Sequence, residues 1–230
     1  MIKRFIPNGL TLANLACGLL AIPAVLRGDF DIAAYFVCAS LVFDFLDGFM
    51  ARLLRVQSEI GKQLDSLADL VTFGVVPGFV MYQLISDTES AAYISYLGFL
   101  IPLFSALRLA KFNIDERQAT YFIGMPTPSN AMFIFSIALI SAYVSDNFLI
   151  AITQSPLFLG LICIVSSVWL ILEIPLFSLK VKNLNWRDNK GIWSLLAGII
   201  ILFTFLGFQG LVFVIPLYLL ISMVFKPKEG

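Results

Sequence analysis

Residues 44–70 read DFLDGFMARLLRVQSEIGKQLDSLADL, and four aspartates punctuate them: Asp44, Asp47, Asp65 and Asp69. At about 100° per residue, a helix places Asp44, Asp47, Gly48, Ala51 and Arg52 on one stripe roughly 140° wide. A following helix carries Gly61, Asp65 and Asp69 on a similar stripe. Facing each other, the two stripes bring four carboxylates into one cavity, with small residues beside them where a ligand reaches the backbone. Oxygen-only ligands suit hard divalent cations, Mg²⁺ or Mn²⁺, with Ca²⁺ a further candidate, and a pair of such ions relieves the repulsion among four like charges. The chain contains no histidine, which removes the commonest general base and transition-metal ligand. Chemistry here runs on carboxylates and hard cations.

The elements that must position these residues are membrane helices. Of 230 residues, 60% are hydrophobic and 13% charged, and the mean hydropathy is +0.93, outside the range of soluble domains. A spanning helix needs roughly 20 mostly apolar residues, and eight stretches qualify: 8–27, 31–54, 64–86, 91–111, 128–145, 155–177, 191–207 and 209–226. The fold class expected is an all-α polytopic bundle of about eight transmembrane helices, a six-helix core followed by two C-terminal helices. No small-residue cleavage site follows the first apolar run, so it is expected to be a retained helix. Alternating the eight segments through a bilayer puts 14 of the 15 basic residues on one side and only Arg27 on the other. Both termini and the aspartates are therefore expected on the cytoplasmic face. Cys17, Cys38 and Cys163 each stand alone in an apolar stretch and read as small buried residues with no disulfide or zinc role.

In such a setting each ionised aspartate costs about 2.5–3.5 kcal/mol at a helix centre. A single one can snorkel or pair with Arg52, Arg55 or Lys62. Four at these spacings, accompanied by Gly48, Ala51 and Gly61, favour a cation site. A carboxylate-lined ion or proton pathway is the competing reading, against which stand Arg52 and Gly61, for which a cation pathway has no need.

The string Asp44-x2-Asp47-Gly48-x2-Ala51-Arg52-x8-Gly61-x3-Asp65-x3-Asp69 resembles the full signature of the CDP-alcohol phosphatidyltransferase family. That resemblance implies that Asp44, Asp47 and Asp65 bind one or two divalent ions at the diphosphate of a CDP-linked lipid. It implies that Asp69 helps hold the metals and serves as general base, and that Gly48, Ala51, Arg52 and Gly61 contact the cytidine diphosphate together with Asp65. Flanking segments, PNGLTLANLACGLLAI (7–22), DSLADLVTFGVVPG (65–78), RLAKFN (108–113) and GMPTPSNA (124–131), resemble the phosphatidylserine synthase branch. They imply CDP-diacylglycerol and L-serine as substrates, a membrane-embedded homodimer and no nucleic-acid partner. Lys111 stands where that branch usually has arginine, and Met125 where it has leucine; lysine cannot hold a carboxylate bidentately. Acceptors bearing an extra phosphate, glycerol-3-phosphate or inositol phosphate, are the runners-up within the family, and an ether-lipid, archaetidylserine-type donor would suit the same apolar surface. The catalytic unit is expected at 1–178, and a basic loop with two helices at 179–230.

Among the accessory residues, Thr11, Asn14 and Gly18 recur at spacings of three and four along the first helix, as cavity lining or as helix-packing residues. Asn8 reads either as part of the CDP-lipid site or as an N-cap. Arg108 and Lys111, one turn apart, read either as positive-inside anchors or as ligands for the lipid phosphate or the serine carboxylate. Pro77 is expected to kink the third helix, and Pro126 and Pro128 to stiffen the entry to the fifth. No charged residue occurs from Ile192 to Phe225, so the last two helices are expected to pack or face lipid.

Overall fold

The computed structural model describes residues 5–56, 58–87, 93–115, 122–143, 153–173, 175–176 and 189–225. Nine α-helices make up most of them: α1 (Phe5–Leu26), α2 (Phe30–Leu53), α3 (Glu59–Asp69), α4 (Val76–Ser86), α5 (Leu100–Ile114), α6 (Thr127–Tyr143), α7 (Pro156–Ile171), α8 (Lys190–Leu206) and α9 (Leu211–Val224). Between α3 and α4 the chain continues as a π-helical turn, Leu70–Val75, and a 3₁₀ segment, Ile94–Phe99, leads into α5. Five helical runs are long and apolar enough to cross a membrane: Phe5–Leu26, Phe30–Leu53, Glu59–Ser86, Ile94–Ile114 and Lys190–Val224. Two shorter apolar helices, Thr127–Tyr143 and Pro156–Ile171, accompany them. The chain is a helical membrane bundle.

Lipid as solvent explains its surface. Large apolar side chains such as Leu20, Tyr35, Phe45, Leu103 and Phe205 point outward, while Ala21, Ala24, Phe73, Val80, Ile101, Ile134 and Leu159 fill the interior. Small residues bring helices close where polar chemistry must be packed. A Cβ on Gly78 would lie 2.7 Å from Pro102 Cδ, and one on Gly98 would lie 2.7 Å from the Gly78 carbonyl. The final run folds back at Gly207, whose φ is +54°: Gly198 meets Leu217, and Gly210 meets the Leu202 carbonyl.

Several expectations are corrected. α7 ends at Ile171 rather than near residue 177, because Pro175 cannot donate to a helix and biases the residue before it to extended backbone. Pro175–Leu176 instead pair with Phe122–Ile123 in a short antiparallel ribbon beside an otherwise helical bundle. Asn8 lies inside α1, not at an N-cap. Cys163 is buried, but Cys38 is exposed among outward-facing apolar residues and Cys17 is half-buried. The chain around Pro77 departs from α geometry as a π-helical turn: the Val76 N–H bonds back to the Val71 carbonyl, five residues away.

Candidate active site

The turn between α2 and α3 sets the two aspartate stripes against each other. α2 closes with Val56 N–H donating to Ala51 O at 3.0 Å and Arg55 N–H donating to Arg52 O at 3.2 Å, the paired bonds of a Schellman motif. Arg55 takes the left-handed position usually given to glycine, at φ +53°. α3 then opens with Ser58 as N-cap, its hydroxyl accepting from the Gly61 N–H at 3.1 Å. Reversal and cap together return the chain so that Asp65 comes up beside Asp44 and Asp47.

The resulting cavity of about 410 Å³ is lined by Asn8 and Thr11 from α1, by Asp47, Gly48, Ala51 and Arg52 from α2, and by Gly61 and Asp65 from α3. Every residue expected to touch the CDP-lipid therefore faces one space. Sequence reasoning missed Ser58, Glu59 and Lys62 on the same wall; the Ser-x-x-Gly step at a helix start was the available signal. A Cβ at Gly48 would meet nothing nearer than Arg52 Nη1 at 3.7 Å, so it would project into cavity space. At Gly61 a Cβ would crowd Ser58 Oγ at 3.1 Å and Asn8 Oδ1 at 3.3 Å.

Asp44, Asp47 and Asp65 each bring one carboxylate oxygen within 4.8 Å of the others. That separation suits a hard cation, since ligands on opposite sides of an ion at about 2.1–2.4 Å stand about 4.2–4.8 Å apart. Asp65 Oδ1 is buried without a hydrogen-bond partner, as expected of an oxygen reserved for a cation. Among the described residues the ion pair within 4.0 Å is Arg27 with Asp29, remote from the site in sequence. Lys62 turns instead to the Asn113 carbonyl at 2.7 Å. Asp44, Asp47 and Asp65 thus form no ion pair with a described basic side chain, and the donor set fits a divalent ion.

α1 supplies the groups that orient the carboxylates. Thr11 Oγ1 donates to Asp47 Oδ2 at 2.5 Å, with the Pro7 carbonyl 3.1 Å away. Asn14 Nδ2 donates to Asp69 Oδ1 at 3.3 Å. The Asn14 carbonyl accepts from Ser40 Oγ and from Thr72 Oγ1, fixing α1 to both α2 and the π-helical turn. Thr11 thus lines the cavity, Asn14 supports Asp69, and Gly18 is a packing residue pressed against Thr72.

Asp69 stands apart from the compact triad. It remains within electrostatic reach of Asp44, Asp65 and Asp47, and on its other side it acts on Arg108. Arg108 is 7% exposed with its Nε unpartnered, whereas Lys111, one turn on, is exposed. Both line a separate cleft between the ends of α5 and α7, not the large cavity. Asp69 therefore interacts electrostatically both with the aspartate triad and with Arg108.

A model of the CDP-alcohol phosphatidyltransferase family matches residues 4–179. A Bacillus subtilis (strain 168) protein named CDP-diacylglycerol–serine O-phosphatidyltransferase is 40% identical over 133 residues, 56% of this chain and 72% of that protein. A Helicobacter pylori (strain J99) protein of the same name is 33% identical over 214 residues, 92% of this chain and 82% of that one. A third, from Mycobacterium leprae (strain TN), is 34% identical over 141 residues, 58% of this chain and 46% of the relative; the chain spans about half the length of that longer protein.

Proposed function

The chain belongs to the CDP-alcohol phosphatidyltransferase family, and we propose that it transfers the phosphatidyl group of CDP-diacylglycerol to the hydroxyl of L-serine, releasing CMP. The observation that carries this reading is the cavity lined by Asp47, Gly48, Ala51, Arg52, Gly61 and Asp65 of the signature, with Asp44, Asp47 and Asp65 at cation-binding separation beside it. The names of the relatives from three bacterial genera supply the acceptor.

In the proposed reaction Asn8, Gly48, Ala51, Arg52 and Gly61 hold the cytidine diphosphate, the small residues admitting it to the backbone and the Arg52 guanidinium supplying charge-assisted hydrogen bonds to phosphate oxygens. Asp44, Asp47 and Asp65, with Asp69 beside them, would hold one or two Mg²⁺ or Mn²⁺ ions, which polarise phosphoryl oxygens and stabilise the departing CMP. Asp69, oriented by Asn14, takes the proton of the serine hydroxyl. A serine oxygen–phosphorus bond forms and the phosphorus–oxygen bond to CMP breaks, with no covalent enzyme intermediate, since the chain lacks histidine and offers no activated nucleophile at the site. Arg108 binds the serine carboxylate.

The same proposal puts both termini and the site on the cytoplasmic face, in support of which stands the one-sided distribution of basic residues. It counts eight spans, taking the two shorter apolar helices and the two arms of the final hairpin as spans of their own. The catalytic unit is 1–178, supported by the extent of the family match; a homodimer carries over from the family resemblance alone. The test is an acceptor panel: purified protein, CDP-diacylglycerol and Mn²⁺ or Mg²⁺, with L-serine, glycerol-3-phosphate or inositol phosphate in turn. CMP release dependent on serine is expected. Release with a phosphorylated acceptor and none with serine would redirect the assignment.

A further inference from the structure

Three hydrogen bonds tie α3 to the end of α5. Lys62 Nζ donates to the Asn113 carbonyl at 2.7 Å, Asn113 Nδ2 donates to Ser66 Oγ at 2.8 Å, and Ser66 Oγ donates to the Lys62 carbonyl at 3.2 Å. One asparagine is thus held by its backbone and its side chain together, and the ring of bonds closes on α3 itself. Local chemistry explains the choice of partners. The Asn113 carbonyl is among the last four of α5 (Leu100–Ile114), which have no N–H of their own helix to accept from, and a lysine there meets the negative end of the helix dipole. On α3, Lys62, Ser66 and Asp69 recur at spacings of four and three, so the face that makes the clasp also carries Asp69.

The clasp is one end of a bracket. The stretch from Ser66 to Gly74 meets α5 at three levels in opposite chain sense: Ser66 bonds Asn113, Asp69 interacts electrostatically with Arg108, and Gly74 packs on Ser105, where a Cβ would lie 2.9 Å from Ser105 Cβ. The outer two levels are fixed by a hydrogen bond and by close packing. The middle one acts through space between a carboxylate and a guanidinium, so its strength follows the separation that the outer two set. Phe112, next to Asn113 in the chain, adds a further hold, its ring centroid 5.8 Å from Arg108 Cζ. We propose that Lys62, Ser66 and Asn113 are positioning residues, their clasp holding Arg108 in register with Asp69. The inference rests on the function proposed above, in which Arg108 takes the serine carboxylate, and names what sets the place of that arginine. None of the three reacts. Loss of the clasp frees the end of α5 to move along α3 and carry Arg108 away from the base, while Thr11 of α1 still holds Asp47.

Ser66→Ala and Asn113→Ala each remove one side chain of the clasp, and neither residue lines the nucleotide cavity. CMP release from CDP-diacylglycerol with Mn²⁺ is measured against serine concentration in the full-length protein, beside calorimetry of Mn²⁺-dependent CDP binding. Each variant is expected to raise the KM for serine by about three- to tenfold, the effect of one lost hydrogen bond, with CDP affinity and the KM for CDP-diacylglycerol unmoved. The double variant should be no worse than either single one, because both remove the same bond. Ser66→Thr, which keeps the hydroxyl, should match wild type. CDP binding identifies a variant that fails to fold, and the other single variant then carries the test. A serine KM unmoved in folded variants would overturn the role given to the clasp and leave the enzyme assignment standing. So would a serine KM that rises only together with a loss of CDP affinity, since the bonds would then stabilise the bundle at large. Wild type with no serine-dependent CMP release would overturn the function proposed above, and the role of the clasp with it.

Discussion

Thr11→Val tests whether α1 takes part in the site or only packs beside it. The Thr11 hydroxyl donates to Asp47 Oδ2 at 2.5 Å, and the two residues are 3% and 5% exposed, so little water has access to the lost donor's place. Valine keeps the branched shape, which confines the change to that one bond. A hydrogen bond to a charged acceptor contributes about 1.5–3 kcal/mol, equivalent to about 10- to 100-fold, and loss of a group that orients a metal ligand costs about the same factor in metal affinity. The Mn²⁺ concentration giving half-maximal CMP release should therefore rise by about 10- to 100-fold, with much of the turnover recovered at saturating metal. Calorimetric titration of Mn²⁺ should show the same displacement, and Thr11→Ser, which restores the donor, should return it toward wild type. A metal midpoint unchanged in Thr11→Val would refute the reasoning. So would a fall in turnover that no amount of Mn²⁺ reverses, since Thr11 would then act on the substrate and not through Asp47.

Chelation with EDTA should abolish CMP release and added Mn²⁺ or Mg²⁺ should restore it; undiminished turnover in metal-free buffer contradicts the carboxylate–cation site. Asp69→Asn should keep metal-dependent CDP binding while turnover falls by about 10²- to 10⁴-fold, the loss typical of a general base, whereas Asp47→Asn should weaken metal and nucleotide binding together. Equal loss of binding in both variants would make Asp69 chiefly a metal ligand. In a cysteine-free background, a membrane-impermeant thiol reagent outside intact cells should label Thr88→Cys and not Asn185→Cys, and the opposite pattern would invert the proposed orientation. Arg55→Gly relieves a left-handed residue that costs about 1–2 kcal/mol, less the roughly 0.5–1 kcal/mol of extra chain entropy glycine brings. A modest rise in thermal midpoint is therefore expected, and a fall would show that the Arg55 side chain contributes more than its backbone strain costs.

What was legible in the sequence was whatever repeats with the helix or is chemically out of place. Aspartates in an apolar chain stand out because lipid makes them costly, and their spacings of three and four carry their common face with them; Asp44, Asp47 and Asp65 converge as those spacings imply. Arg108 and Lys111 were paired by the same periodicity, yet only Arg108 is buried, while Lys111, in the last turn of α5, is exposed. Asn14 read as packing or lining alike, since nothing local to α1 records that Asp69, 55 positions on, is its partner. The ribbon that shortens α7 was hidden for a similar reason: Pro175 signals an end, but its pairing with Ile123 is a long-range fact.

The π-helical turn is the least legible element and the one that joins site to fold. Pro77 has no N–H to offer the Phe73 carbonyl four residues back, and its ring would clash with that carbonyl in a regular helix. The strain is met upstream, where Leu70–Val75 widen into bonds spanning five residues. In such a turn residues five apart come close to the same face, so Gly74, which packs on α5, lies near the face that carries Asp69. Gly74 abuts Ser105, a Cβ there lying 2.9 Å from Ser105 Cβ, and Asp69 interacts electrostatically with Arg108, one turn further along α5. Close approach at the glycine thus brings the turn against α5, while Thr72, on another face of the same turn, bonds the Asn14 carbonyl and fixes the residue that bonds Asp69. A regular helix through residues 69–76 would rotate Gly74 away from Asp69 and could not serve both contacts. The proline thereby shapes an irregular turn whose faces meet Asn14 of α1 and Ser105 of α5.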